Sequence, residues 1–264
     1  MVLDFTVIIP TYNEEKAIAK TLQYVKNQKT NSTFKIVVVD GGSNDNTVKI
    51  AKEYAEVLIS PQKGKAYQLN YAANQTDSKF LLFLDADTHI PWDYLERVKT
   101  AFYHDQDLWA CSGHIFYSGM TYGIYHTFVV FQGLINFLEF FLFSSIYFLL
   151  QRLSHAHFKF LQTTFFFNVS MLIWYSFRQL YGSPEFSGSN ICIRRNIFDA
   201  IGGFRQPPHL GVDHVFCYIL KNYIEKKKRG KMKIIPSLFV ETDVRNLGFR
   251  RSLRRVKTYS DVVV

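Results

Sequence analysis

The run Leu81-Leu82-Phe83-Leu84-Asp85-Ala86-Asp87-Thr88 constrains this chain more than any other stretch. Four consecutive apolar residues without polar alternation read as a strand covered on both faces, as in the middle of a parallel sheet. The run stops at two carboxylates one residue apart, and Pro91 follows to end the strand. In an extended strand residues i and i+2 point to the same side. Asp85 and Asp87 are therefore expected to leave the carboxyl end of the strand together, where open α/β sheets bind ligands. Carboxylates this close repel unless a cation or donors separate them, and hard oxygen ligands suit Mg²⁺ or Mn²⁺. A pair of solvated turn aspartates or helix caps is the alternative that D-x-D spacing alone leaves open.

The upstream sequence supplies context. Phe5 to Pro10 (FTVIIP) is a short β-branched run closed by proline, a first strand. Thr11-Tyr12-Asn13-Glu14-Glu15 follows as a loop opening a helix, with Asn13 placed to cap it and Ile18, Leu22 and Val25 at helical spacing. Phe34 to Val39 is a second buried strand ending at Asp40. Gly41-Gly42-Ser43-Asn44-Asp45 then turns into a helix over Thr47 to Tyr54, with Ser43 or Asn44 able to cap it. Val57 to Ser60 is a third strand, and Lys63-Gly64-Lys65 precedes a helix through Gln68, Leu69, Ala72 and Ala73. Strands alternating with helices at this spacing predict βαβ units and an α/β fold with a mostly parallel sheet. Glu14, Asp40, Asp85 and Asp87 then share one sheet edge, with Lys63 and Lys65 nearby to meet phosphate charge. There is neither G-x-x-x-x-G-K-[ST] nor G-x-G-x-x-G, so a nucleotide here would be held without a Walker or Rossmann loop. Glu14 and Asp45 can equally be read as charges at helix ends.

Composition narrows the partners. The 264 residues hold 31 Lys and Arg against 22 Asp and Glu, a formal charge of +9. That excess suits an anionic partner such as a phosphate-bearing substrate or an anionic membrane. No nucleic-acid-binding motif can be placed, and the aromatics cluster in apolar runs instead of interleaving with cations as stacking platforms do, so nucleic acid is not expected. Cys111, Cys192 and Cys217 form no C-x-x-C pair, and an odd count argues against a disulfide framework. No basic segment followed by an apolar core precedes the first strand, so no signal peptide is expected.

The order VIIPTYNEE, VVVDGGSNDNT, KGKAYQLN, LLFLDADT resembles the nucleotide-binding half of family 2 glycosyltransferases with the GT-A fold, closely over residues 5 to 91 and more loosely to about 250. The resemblance implies a metal-dependent, inverting transferase using a nucleotide-sugar donor (UDP- or GDP-sugar). It places Pro10, Tyr12, Glu14 and Asp40 at the nucleoside and Lys65 near the base or diphosphate. It further places Asp85 near the ribose and diphosphate, and Asp87, with Asp85, at a Mn²⁺ or Mg²⁺ ion. Gly42 stands where many members carry a second Asp.

A second block continues the resemblance. Ser187-Gly188, Arg194-Arg195 and Gly202-Gly203-Phe204 match the family's succession of loop, strand, short helix and turn. Some ten residues on, the family carries Glu-Asp at a helix start as general base. Here the pair reads Val212-Asp213, which makes Asp213 the expected catalytic base with Val212 in place of the Glu. A helix N-terminus would keep Asp213 ionised, as deprotonating a hydroxyl requires. Thr242-Asp243-Val244-Arg245 loosely resembles the segment bearing a phosphate-side Arg, which nominates Arg245.

Between Tyr122 and Tyr181 the composition shifts. His126 to Leu150 carries one charge, Glu139, in a window long enough to span a bilayer, and Phe158 to Leu180 is similar. Three readings compete: helices lying in the membrane interface, which the Phe, Tyr and Trp content favours; a spanning hairpin, which Arg152, Lys159 and Glu139 disfavour; and an ordinary apolar core or dimer contact. Phe249, Leu253 and Val256 fall at i, i+4 and i+7 among cations, a short basic amphipathic segment. Lys226-Lys227-Lys228-Arg229 reads as a solvated turn before a strand from Lys233 to Ile235. The expected organisation is residues 1–121 as the nucleotide-sugar half, 122–181 as a membrane-associated insertion, 182–248 as the acceptor half and 249–264 as a basic tail. The expected location is the cytoplasmic face of a membrane. The acceptor is then lipid-linked or membrane-proximal; a polysaccharide or cell-surface glycan acceptor, or a catalytically silent nucleotide-sugar binder, is the alternative.

Overall fold

The computed structural model describes residues 2–117, 186, 188–206 and 211–243. The insertion expected at 122–181, the basic tail at 249–264 and Arg245 lie outside the described residues.

Seven strands form the central sheet: β1 (Leu3–Thr11), β2 (Phe34–Asp40), β3 (Glu56–Ile59), β4 (Ser78–Leu84), β6 (Leu108–Ser112), β8 (Asn190–Arg194) and β9 (Lys231–Ile234). Their order across the sheet is β3-β2-β1-β4-β8-β6-β9. β1, β2, β3 and β4 pair in parallel, and β8 runs antiparallel to both β4 and β6. The fold is mixed α/β with a mostly parallel sheet, as the alternation of elements predicts. A small second sheet joins β5 (Thr88–His89), β10 (Val240–Thr242) and β7 (Ile115–Tyr117). Its strands are too short to carry a periodic signal, and none was expected from sequence.

The apolar run of β4 is buried throughout because both sheet faces are covered. Leu82 and Leu84 join Val7, Ile9 and Val38 on one face, under helices α1 (Ile18–Lys26) and α4 (Tyr94–His104). Leu81 and Phe83 join Ile8, Val37 and Val39 on the other, under α3 (Lys65–Asn74), α5 (Arg195–Ile201) and α6 (Val212–Lys227). The period of two thus divides one apolar run between two cores. Phe83 packs against Phe198 and Phe204, and Phe204 stacks on Phe216, which ties α5, its trailing turn and α6 to the sheet. Cys111, Cys192 and Cys217 are buried and free.

Local signals fared unevenly. Gly202 takes the left-handed conformation past α5, as its place in G-G-F requires. The helix expected over Thr47 to Tyr54 is α2 (Thr47–Ala51), followed by turns. Asn13 does not cap α1: it sits at φ 57, and its side chain accepts from Asn44 N at 2.9 Å in the neighbouring loop. Nor does Ser43 or Asn44 cap α2. The N-cap is Asn46, which makes no side-chain cap bond, and Asp45 just ahead of it accepts from Thr47 N at 3.0 Å. The physical reason is the same in both cases. The loops after β1 and β2 lie side by side, so their polar side chains satisfy each other before they satisfy a helix. The strand expected from Lys233 to Ile235 starts two residues earlier, paired with β6. Lys226 and Lys227 end α6 and Lys228 turns at φ 52, exposed as expected of a solvated turn.

Candidate active site

Three loops meet at the carboxyl edge of the parallel strands. The first two are zipped together. Asn13 N donates to Ser43 Oγ at 2.8 Å, Glu14 N to Thr47 Oγ1 at 2.7 Å and Glu15 N to Asp45 Oδ2 at 3.2 Å. Beneath them lies Asp40, only 1% exposed. It accepts from Thr11 Oγ1 at 3.0 Å, Gly42 N at 2.8 Å, Ser43 N at 2.7 Å and Ser43 Oγ. A carboxylate has about four acceptor positions, and these are filled from within the protein. Asp40 therefore shapes the loop, and what that loop presents outward is Tyr12, 52% exposed, with Lys63 Nζ 5.9 Å from its ring centroid. Pro10 sits below, in register with Val39.

Gln68 on α3 couples both loops to the third. Its amide donates to Thr11 O at 2.9 Å and Val39 O at 2.8 Å, carbonyls at the ends of β1 and β2. Sequence periodicity counts Gln68 only as a helix residue; a buried amide on an otherwise apolar helix face was the available signal. One turn earlier on α3 stands Lys65, whose Nζ is hydrogen bonded to Asp85 Oδ1.

Asp85 and Asp87 sit on a turn and not on a strand. β4 ends at Leu84, and Thr88 N donates to Asp85 O at 3.1 Å. The expectation that strand alternation would aim both carboxylates alike therefore fails, since the backbone has already left the extended conformation. Asp85 faces Lys65 and Ser189, whose Oγ donates to Asp85 Oδ2 at 3.2 Å. Asp87, 9% exposed, accepts at Oδ1 from Thr242 Oγ1 at 3.2 Å, and Asp243 N donates to its carbonyl at 3.2 Å. Strand β10 thus returns to hold the turn from one side. On the other side Thr21 Oγ1 of α1 donates to Ala86 O at 2.8 Å.

Asp213 joins the same cluster from the first turn of α6. Its Oδ2 accepts from Gly188 N at 2.9 Å. A Cβ at Gly188 would lie 2.9 Å from Lys65 Nζ and 3.6 Å from Asp213 Cγ, which shows how closely the loop before β8 passes between them. Burial would favour the neutral amine of Lys65, but the carboxylates of Asp85, Asp213 and Asp87 outweigh it and raise its pKa. Lys65 is a fixed cation among three aspartates. Val212, by contrast, is buried in the core beneath α6. Ser189 and Thr242 were not singled out in the sequence; they hold the acidic turn through chain separations of 104 and 155 residues.

The structure therefore brings Lys65, Asp85 and Asp213 together, with Asp87 on the same turn as Asp85. It sets Tyr12, Glu14 and Asp40 on the adjoining paired loops. Among the described residues no group of three or more His, Cys, Asp or Glu side chains is arranged to enclose a metal ion. Two carboxylates on one turn nonetheless fit Mg²⁺ or Mn²⁺, which keep waters and take phosphate oxygens instead of requiring an all-protein cage.

Residues 6–202 match the model of glycosyl transferase family 2. The chain belongs to that family. Its family 2 relatives include the poly(ribitol-phosphate) β-N-acetylglucosaminyltransferase TarS of Staphylococcus aureus, 35% identical over 96 residues, which is 33% of this chain and 17% of TarS. Glycosyltransferase AglE of Haloferax volcanii is 36% identical over 100 residues, 35% of this chain and 33% of AglE. The matched segments thus span a third or less of these relatives' lengths. The mannosyltransferase PcManGT of Pyrobaculum calidifontis, solved with GDP-Man and Mn²⁺, superposes with a TM-score of 0.61 at 18% identity, covering 100% of this chain and 65% of that one. TarS residues 1–349 with UDP-GlcNAc gives 0.60 at 19% identity, covering 92% and 59%. The family 2 domain thus has the GT-A fold.

Proposed function

We propose that this family 2 domain transfers a sugar from a nucleotide-sugar donor to a membrane-proximal, lipid-linked acceptor, with inversion at the anomeric carbon. The observation that carries the reading is the convergence of Lys65, Asp85 and Asp213 beside the Asp87 turn. Cationic and acidic groups from three separate segments converge there, a combination that suits a diphosphate leaving group and an attacking hydroxyl. The donors and Mn²⁺ in the solved relatives support a nucleotide sugar and a divalent ion without fixing either.

The chemistry follows from the side chains. Tyr12 and the exposed rim of the paired loops receive the nucleoside, with Glu14 on that rim. Asp85 and Asp87 would hold the divalent ion, which supplies charge neutralisation at the diphosphate. Lys65 adds a fixed positive charge, effective because it is already in place and needs no reorganisation. Asp213 takes the proton from the acceptor as its oxygen attacks the anomeric carbon, and the bond to the diphosphate oxygen breaks on the opposite face. Its engagement with Gly188 N leaves one carboxylate oxygen for that proton.

A second reading, transfer to a polysaccharide or wall polymer, is favoured by the polymers that appear in the names of TarS and of chondroitin synthase from Pasteurella multocida, 31% identical over 113 residues. The test is donor turnover with UDP- and GDP-sugars, with and without Mn²⁺, for the wild type, Asp213→Asn and Asp87→Ala. Loss of turnover in both variants is expected, with loss of Mn²⁺-dependent donor binding in Asp87→Ala only. Undiminished turnover in either removes that residue from the mechanism.

A further inference from the structure

The outer face of α1 has no part in the chemistry above, yet it is organised. The helix carries no acidic residue. Lys20 and Lys26 are exposed on it, Lys16 and Lys29 flank it, and Tyr24 lies between. Each cation at its core is set against an aromatic ring. Lys20 Nζ is 6.0 Å from the Tyr24 centroid, Lys26 Nζ 5.6 Å from that of Tyr54 and Lys29 Nζ 5.0 Å from that of Trp92. Trp92, at 60%, and Tyr24, at 41%, are exposed large aromatics.

The patch is built, not scattered. Gln28 Nε2 donates to Tyr24 O at 3.2 Å and to Pro91 O at 2.6 Å, and Lys29 N donates to Trp92 O at 2.6 Å. Tyr24 stacks on His89 at 4.9 Å. The nearest acids on α4 are engaged, Asp93 with Arg97 at 2.8 Å and Glu96 with Thr30 at 2.7 Å. Lys49 on the adjoining α2 and Lys52 just after it extend the positive surface, with Glu53 exposed beside them.

We propose that this α1 face, centred on Lys20, Tyr24, Lys26, Lys29 and Trp92, docks on an anionic lipid surface. Lysine ammonium groups match anionic headgroups at roughly 1 kcal/mol per residue near the surface. Trp and Tyr prefer the depth between headgroup and acyl chain, where their apolar body and polar tip are both accommodated. A nucleic-acid partner would be served by the lysines but gives no account of aromatics already covered by cations on one side. The inference goes beyond the transfer reading and does not rest on it. It bears on that reading because the inner side of the same helix supports the acidic turn through Thr21 and Ala86. Docking the outer side would bring that turn within about a helix diameter, roughly 10–12 Å, of the lipid.

The three native cysteines are buried, so a single introduced thiol can be labelled in the full chain. An environment-sensitive fluorophore on Asn27→Cys reports the proposed face. The same label on Tyr218→Cys, 65% exposed on α6 across the sheet, reports the opposite one. With phosphatidylcholine vesicles containing phosphatidylglycerol, the emission at 27 should shift to the blue and that at 218 should not. Phosphatidylcholine alone should give no shift at 27. Lys20→Glu/Lys26→Glu/Lys29→Glu should raise the lipid concentration for half-maximal shift by roughly 100-fold or more. An unshifted label at 27 while the protein sediments with vesicles overturns the proposal, as do equal shifts at both sites or a shift produced by RNA instead of lipid. Donor hydrolysis without vesicles reads the transfer site separately, so its failure with the shift at 27 intact counts against the transfer reading alone.

Discussion

Gly188 shows how little room the site leaves. It belongs to a loop far in sequence from Lys65, yet a methyl group there would press on the Lys65 ammonium at 2.9 Å. Because the obstructing atom ends a flexible side chain, Gly188→Ala should fold with a nearly unchanged urea midpoint while Lys65 is pushed off Asp85. A displacement of about 1 Å at such a site costs on the order of 100-fold in rate. Steady-state transfer assays on the purified variant should show a loss of that order in kcat; wild-type kcat would mean that the Lys65–Asp85 pair is unimportant to turnover. Asp40 teaches a different lesson. Its acidic character, following an apolar run, made it a natural nucleoside ligand to expect, but its internal partners come from Thr11 and from its own turn. The residue type was legible and its internal partners were not, because a carboxylate's partners depend on loops that sequence does not bring together.

At the scale of elements, α3 is the joint. Through Gln68 it binds carbonyls near the ends of β1 and β2, and through Lys65 it reaches the turn after β4. Gln68→Leu keeps roughly the volume but removes two buried hydrogen bonds, at about 0.5–1.5 kcal/mol each, and Thr11 O keeps Gly41 N at 2.9 Å. Urea unfolding should therefore register a loss of about 1–3 kcal/mol, and calorimetry a weaker nucleoside diphosphate affinity as the two loops lose their common anchor. Unaltered stability would mean that water replaces the amide. The buried strands were readable because runs such as FKIVVV and LLFL have no other place to go. The second sheet was not: β5, β7 and β10 hold two or three residues each and exist only through pairing across more than 100 residues. The loop zipper was misread for the same reason. Asn13 and Ser43 have local capping chemistry, and a neighbour some 30 residues away competes for it successfully.

For the molecule as a whole, His114 sets a dependence on acidity that is separate from catalysis. Burial lowers its pKa from 6.5 to about 4. Folded protein therefore keeps the imidazole neutral where the unfolded chain protonates it. The associated stability is complete above about pH 6.5 and is lost as pH falls toward 4. The shift corresponds to about 3 kcal/mol at most. Urea midpoints compared at pH 7 and pH 4.5 should fall in the wild type and fall distinctly less in His114→Gln; parallel declines would assign the effect to the carboxylates. Strand β8 has a different consequence. It runs against its neighbours and alone joins β4 to β6, so the sheet has no continuous middle until residue 194 has been made. During synthesis the first 117 residues must wait with the β4 edge unpaired, a template for unwanted association between nascent chains. A truncated version ending there should accumulate as aggregate, which makes the long stretch between β7 and β8 a period of vulnerability for the ribosome-bound chain.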